Sequence, residues 1–294
     1  MLALVVGAFL VLVACFKFDD IKRLSLTPLA SPTYPVFAVG VVLILSALVG
    51  VGIPALRSGR DPALASTRHI TTGTDTVGAR IGQNQLSVRF GHLEEIADLA
   101  NSLVVLPANE FFDDACINDA RSALGAFVQS RFPGRTKEFE VAVGSELASL
   151  QSQRVVLAGR ERNRYGLGTS VYLSHPLNES VHVLVAAATE QLDDGLKGDL
   201  KTIFTITRDA YRTAVAHRLP AVNLPLVGAG HGPIKPARAL LVQLLAWAEI
   251  LYRNPDQRMQ INIVVFQKDP SSAPEVPRDQ VAQLLQTAST LCEP

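Results

Sequence analysis

Hydrophobic positions along the chain fall into three regimes. Residues 1–16 (MLALVVGAFLVLVACF) and 34–56 are apolar runs without a charge. At about 1.5 Å per residue they make helices of roughly 24 and 34 Å, against a hydrocarbon core of about 30 Å. They predict a two-helix transmembrane hairpin over 1–57, with local thinning of the bilayer around the shorter span. From 58 to 82 the chain is rich in Thr, Gly, Arg and Asp with no apolar period, which predicts a linker that tethers hairpin to domain. From 83 to 294 short apolar runs alternate with amphipathic stretches, the pattern of one α/β domain.

Within that domain QLSVRF (85–90) alternates and predicts a strand, and SLVVL (102–106) predicts a strand covered on both faces. A helix is expected from Ala115 to Gln129, capped by Asp113 or Asp114. Gln153–Leu157 and Ser170–Leu173 read as a strand pair joined by the polar RERNRYGLG, and 181–187 (VHVLVAA) as a buried strand. Helical spacing over 199–218 stops at Pro220, an apolar run follows at 221–227, and a helix runs from Pro236 to Arg253. INIVVF (261–266) is the last strand, and Val281, Leu284 and Leu285 mark a final helix. Strands alternating with helices imply a three-layer α/β sandwich around a mixed, mostly parallel sheet. His182 and Trp247 read as core positions.

Charge and cysteine content narrow the function classes. Lys plus Arg and Asp plus Glu both number 27, so the net charge is zero. That excludes a strongly basic nucleic-acid binder. The three cysteines, Cys15, Cys116 and Cys292, match no metal spacing and give no disulfide framework, so no metal site is expected. No Lys or Arg precedes Lys17, which counts against a cleaved signal peptide and against reading residues 12–15 as a lipoprotein box. Lys17, Lys22 and Arg23 on one side of the second apolar run balance Arg57, Arg60 and Arg68 on the other, so charge gives no membrane orientation.

Two stretches carry candidate chemistry. In PLVGAGHGP (225–233) three glycines, Gly228, Gly230 and Gly232, separate an apolar run from a helix, with Ala229 and His231 between them. A strand emptying through glycines into a helix suits a phosphate, because the backbone amides can approach the anion closely. The same composition also serves a plain sharp turn. In LPANEFFDD (106–114) Asn109 ends a buried strand and is followed by Glu110, Asp113 and Asp114. Asn109 serves equally as a turn residue, and the two aspartates as a helix start.

This order, an Asn closing one buried strand and a glycine loop after a later one, resembles the macro domain family over roughly residues 84–292. The resemblance implies an ADP-ribose-binding site. By it, Asn109 would contact the distal ribose, Gly228 to Gly232 would surround the diphosphate, and Phe266 would face the adenine. Where hydrolytic members carry a glycine run this chain has Phe111-Phe112-Asp113-Asp114, and His92 stands near the position of their adenine-binding Asp. Binding without catalysis is therefore expected, with no catalytic residue and no cofactor. Asp113 and Asp114 would face a cationic part of the ligand.

A hairpin followed by such a domain is similar to the membrane-anchored effectors of type II Thoeris antiphage systems. That similarity implies an antiviral effector whose nucleotide signal, a histidine conjugate of ADP-ribose, is made from NAD by a TIR-domain partner. On binding it the effector would form a homo-oligomer and disrupt the lipid of the inner membrane, with the macro-like domain in the cytoplasm. The alternatives are a membrane-tethered ADP-ribosyl hydrolase and a passive ADP-ribose-binding recruiter.

Overall fold

The computed structural model describes residues 70–96, 99–157, 159–192, 195–230 and 234–291. The expected hairpin and most of the expected tether lie outside the described residues. Among the described residues no helix is long and apolar enough to cross a membrane.

The domain runs β1 (Thr71–Thr72), β2 (Thr76–Ile81), β3 (Asn84–Gly91), β4 (Ser102–Asn109), α1 (Asp114–Ile117), α2 (Ala123–Arg131) and α3 (Thr136–Leu147). It continues through β5 (Gln153–Leu157), β6 (Arg160–Arg164), β7 (Ser170–Ser174), β8 (His182–Leu192), β9 (Gly195–Gly198) and α4 (Leu200–Ala216). β10 (Ala221–Pro225), α5 (Pro236–Arg253), β11 (Gln260–Phe266) and α6 (Arg278–Leu291) complete it. The main sheet has the order β1-β2-β3-β11-β10-β4-β8-β7, with β9 also on β8. Its centre, β3-β11-β10-β4-β8, is parallel, and both ends are antiparallel.

Alternation along the central strands builds two cores from one sheet. In β4, Leu103 and Val105 join α4, α5 and α6 on one face, while Val104, Leu106 and Ala108 join α1, α2 and α3 on the other. β8 does the same with Leu184 and Ala186 against Val183 and Val185. Because both faces are covered, such strands are continuous apolar runs. Trp247 is fully buried at the centre of the first core, as expected. A buried polar ladder crosses the middle strands: the Asn223 side-chain amide donates to the Ser102 hydroxyl at 2.9 Å, and Asn262 Nδ2 donates to Asn223 Oδ1 at 2.8 Å. Any slip of register would strand these groups unpaired, at about 1–3 kcal/mol each.

Four expectations change. The stretch taken as tether up to residue 82 contains β1 and β2: Val77, Ala79 and Ile81 point with period two into the first core. The single helix expected over 115–129 is two, because Ser122 caps α2 by accepting from Gly125 N at 2.9 Å and its own hydroxyl donates to Asp119 O. Ser and Asp side chains compete with the helix for its backbone groups, and here they win. The strand pair 153–157 with 170–173 does not form; β5 pairs with β6 across Gly159, which takes φ 73°, and β7 pairs with β8. Finally, His182 is not a core residue. It sits half-exposed, its Nδ1 2.7 Å from the Tyr172 hydroxyl, among His175, Tyr172 and His217.

Candidate functional site

The carboxyl ends of the parallel strands open into one cleft of ≈ 810 Å³. In open α/β sheets this edge is where loops are free to diverge and ligands bind. Asn109 arrives from β4, Gly228 and Gly230 from the turn after β10, Phe266 from the end of β11, and Gly91 and His92 from the end of β3. Ala115, Cys116, Asp119, Ser122 and Ala126 of the α1–α2 region form another wall.

The sheet is irregular beside Asn109. Ala108 is opposite Ala187, but Asn109 is opposite Thr189, so Ala188 is an extra residue in β8. Bulges of this kind redirect side chains at strand ends. The Asn109 amide is then fixed at both atoms: Nδ2 donates to Asp113 Oδ1 at 3.0 Å, and Oδ1 accepts from Phe111 N at 3.1 Å. One N–H and one lone pair remain for a ligand.

The acidic residues after Asn109 are turned to internal use. Asp113 caps α1 through Cys116 N at 3.4 Å, holds Asn109 with the same oxygen, and pairs through its other oxygen with Arg162 of β6. Glu110 is 1% exposed; both its oxygens accept from Gln191 N at 2.9 Å, and Arg164 Nε lies 3.8 Å away. Burial pushes its carboxyl up, although the Gln191 amide and Arg164 oppose this. Arg164 also pairs with Glu190. Asp114 opens α1 outside the cleft lining. The expectation that Asp113 and Asp114 meet a cation on the ligand has a competitor in the structure: the protein's own Arg162 pairs with Asp113, and neither aspartate is part of the cleft lining. Glu110 likewise faces the hairpin rather than the cleft.

The glycine turn is gripped from behind. Gln243, fully buried on α5, donates to Pro225 O at 3.0 Å and accepts from Val227 N at 3.1 Å. Gly228 needs its identity, with φ 79° and an Ile234 methyl 3.1 Å from where a Cβ would sit. Among the described residues nothing lies within 4 Å of that point at Gly230, so its side is open to the cleft. Ala229, between them, is buried and is not part of the lining. His231 and Gly232 lie outside the described residues.

Phe266 keeps 47% of its surface exposed, high for a large apolar side chain. Its ring meets the His92 ring edge to face at 5.0 Å. His92 Nδ1 lies 3.2 Å from Glu94 Oε1, and Nε2 lies 3.1 Å from Lys268 O. Glu275, whose amide donates to Phe266 O at 3.1 Å, also lines the cleft, and burial there pushes its carboxyl up. Burial pushes the Cys116 thiol up to about 12, so it stays protonated at neutral pH and is no nucleophile. Among the described residues no three His, Cys, Asp or Glu side chains cluster so as to hold a metal ion.

Of the residues singled out from sequence, Asn109, Gly228, Gly230 and Phe266 share the cleft. His92, placed by the resemblance near the adenine-binding position, also lines the cleft, whereas Gln243, Arg162 and the extra Ala188 were not singled out as members of the site. Only Arg162 and Gln243 had any local signal, a charge in a polar segment and a lone amide in an apolar helix.

No protein-family profile matches the chain, and no curated protein does. Solved structures do. The macrodomain of Oceanobacillus iheyensis with MES bound superposes with a TM-score of 0.52 at 13% identity, covering 74% of this chain and 96% of that one. The fold is that of a macro domain. The same macrodomain with ADP gives 0.51 at 13% identity, covering 74% and 95%, and a variant of it with ADPR gives 0.51 at 14%, covering 74% and 97%. At this identity the likeness of the macro domain is one of architecture: helices on both faces of a mixed sheet whose parallel centre opens on one edge.

Proposed function

We propose that the cleft binds an ADP-ribose-type ligand. The observation that carries this reading is the convergence of Asn109, Gly228, Gly230 and Phe266, from three separate strand ends, on one cleft of ≈ 810 Å³. That volume is within the range of about 300–1,000 Å³ usual for small-molecule sites. The exposed Phe266 ring suits a purine face. The open side of Gly230 leaves backbone room for a diphosphate, and the spare N–H and lone pair of Asn109 suit ribose hydroxyls. The ADP and ADPR complexes of the similar macrodomain support this ligand class.

In this reading the domain senses rather than hydrolyses. The ligand is an NAD-derived signal, with a histidine conjugate of ADP-ribose as the specific candidate and a TIR-domain enzyme as its source. The apolar runs 1–16 and 34–56 support an inner-membrane anchor with the domain in the cytoplasm. Occupancy would drive self-association and bilayer damage, which requires the ligand to favour the assembled state.

Calorimetry of the full chain with ADP-ribose tests the binding. Wild type should bind, and Asn109→Ala should bind at least about tenfold more weakly, the equivalent of roughly 1.4 kcal/mol. Absence of heat from wild type would remove the proposal. Dye release from liposomes carrying the full chain, with and without ligand, tests the effector step separately.

A further inference from the structure

The two ring nitrogens of His92 both face acceptors. Nδ1 is 3.2 Å from a carboxylate oxygen of Glu94, and Nε2 is 3.1 Å from the carbonyl oxygen of Lys268. A neutral imidazole has one N–H and can serve only one of them; an imidazolium serves both. The two partners are on different segments. Glu94 belongs to the 3-10 turn Leu93–Glu95 that follows β3, whereas Lys268 comes two residues after Phe266. β3 and β11 are already paired as far as Gly91 with Phe266, and Gln267 N donates to Gly91 O at 3.3 Å. His92 extends that zipper past the strand ends and also touches the Phe266 ring.

We propose that His92 is an imidazolium staple that sets Phe266 against the cleft, so that ligand binding depends on the protonation of this ring. His92 is a positioning residue in this role. The inference rests on the cleft being the ligand site, but the staple itself is defined without any ligand. The charged groups around the ring favour the cation. Glu94 and Glu95 lie on its own turn. Glu275 lies in the adjoining cleft wall, and Arg131 of α2 is turned to the carbonyls of Glu94 and Ile96 rather than to the ring. Partial burial alone would lower the pKa of His92, yet the Lys268 carbonyl and the two glutamates raise it on balance. Loss of the proton leaves one nitrogen lone pair against an oxygen, and one of the two anchors must open.

The test has two arms on the full chain, each run on wild type and His92→Gln, whose amide stays neutral throughout. In the first, hydrogen exchange of the segment 264–270 is followed without ligand between about pH 6 and about pH 9, corrected for intrinsic rates, across the range where histidine titrates. Protection in wild type should fall by about three- to tenfold, the loss of one charge-assisted hydrogen bond, and stay flat in His92→Gln. In the second, ADP-ribose affinity should fall by a similar factor over the same range in wild type alone. Parallel profiles for the two proteins in the first arm would overturn the staple. A titrating first arm with no ADP-ribose binding at any pH would leave the staple standing as structure, refute its link to binding, and remove the proposed ligand.

Discussion

Arg162, on the β5–β6 hairpin, holds one oxygen of Asp113 while the other oxygen holds the amide of Asn109. A surface hairpin thus fixes the orientation of a side chain in the cleft wall. We predict that Arg162→Met lowers ligand affinity although Arg162 is not part of the cleft lining. The pair is mostly shielded from solvent, so its loss should also cost about 1–3 kcal/mol of stability. Urea denaturation and calorimetry on the same variant separate the two effects. Unchanged affinity would show that Asn109 is held adequately without Arg162.

The glycines of the turn should part company under alanine substitution. Gly228→Ala forces a side chain to φ 79° and into Ile234, and should lower stability by about 1–3 kcal/mol. Gly230→Ala meets open space and should leave the melting temperature within about 1–2 °C of wild type while weakening ligand binding. Equal melting temperatures for the two variants would contradict the geometry.

Gln243 is the inner support of the same turn. Gln243→Leu leaves Pro225 O and Val227 N buried without their partner, at a cost of about 2–4 kcal/mol for the two together. Denaturant unfolding measures this directly. A loss below about 0.5 kcal/mol, the scatter of neutral substitutions, would mean the turn repacks freely.

Two histidines give stability opposite slopes with pH. Burial, and then the neighbouring His175 and His217, hold His182 below the usual imidazole value of 6.5. The unfolded chain therefore binds more protons here, and this stability is present above about pH 6.5 and is lost as pH falls through the lower native pKa. His92 is raised above 6.5, so its contribution is complete below that pH and is lost as pH rises through its native pKa. Chemical denaturation from about pH 5 to about pH 9 should show His182→Gln flattening the acid side of the profile and His92→Gln the alkaline side. Both variants leaving the profile unaltered would remove the assignment.

Legibility in the sequence followed the range of the forces involved. Strands buried on both faces announce themselves as apolar runs, so β4, β8, β10 and β11 were readable, and so was α5 from Pro236 to its end at Arg253. The polar strand β6, Arg160–Arg164, has no apolar residue and is held by ion pairs to Asp113, Glu110 and Glu190 far away in sequence. No local pattern reports such partners. For the same reason the acidic loop read as ligand-facing, since nothing near it in sequence shows that Arg162 fills it. α3 was missed although Phe139, Val143 and Leu147 recur every four residues, because Lys137, Glu138 and Glu140 dilute the stripe. Asn109 and Phe266 were placed by the resemblance to the macro domain, and in the structure both sit at the strand-end edge that ligands use in such sheets. The role of His92 depends on Lys268, 176 residues away in sequence.

The surplus Ala188 makes part of this site a matter of residue count. Its side chain is a methyl, and alanine to serine or glycine at that position leaves the number of residues in β8 unchanged. A substitution scan would pass over it. Deleting Ala188 should instead remove the bulge while leaving Asn109 opposite Thr189, so that the change falls on the course of β8 beside the cleft, which Ala188 lines. Among relatives of this chain, a one-residue gap between the counterparts of Ala187 and Thr189 would then mark a domain that keeps the sheet but builds this wall of the cleft from an unbulged strand.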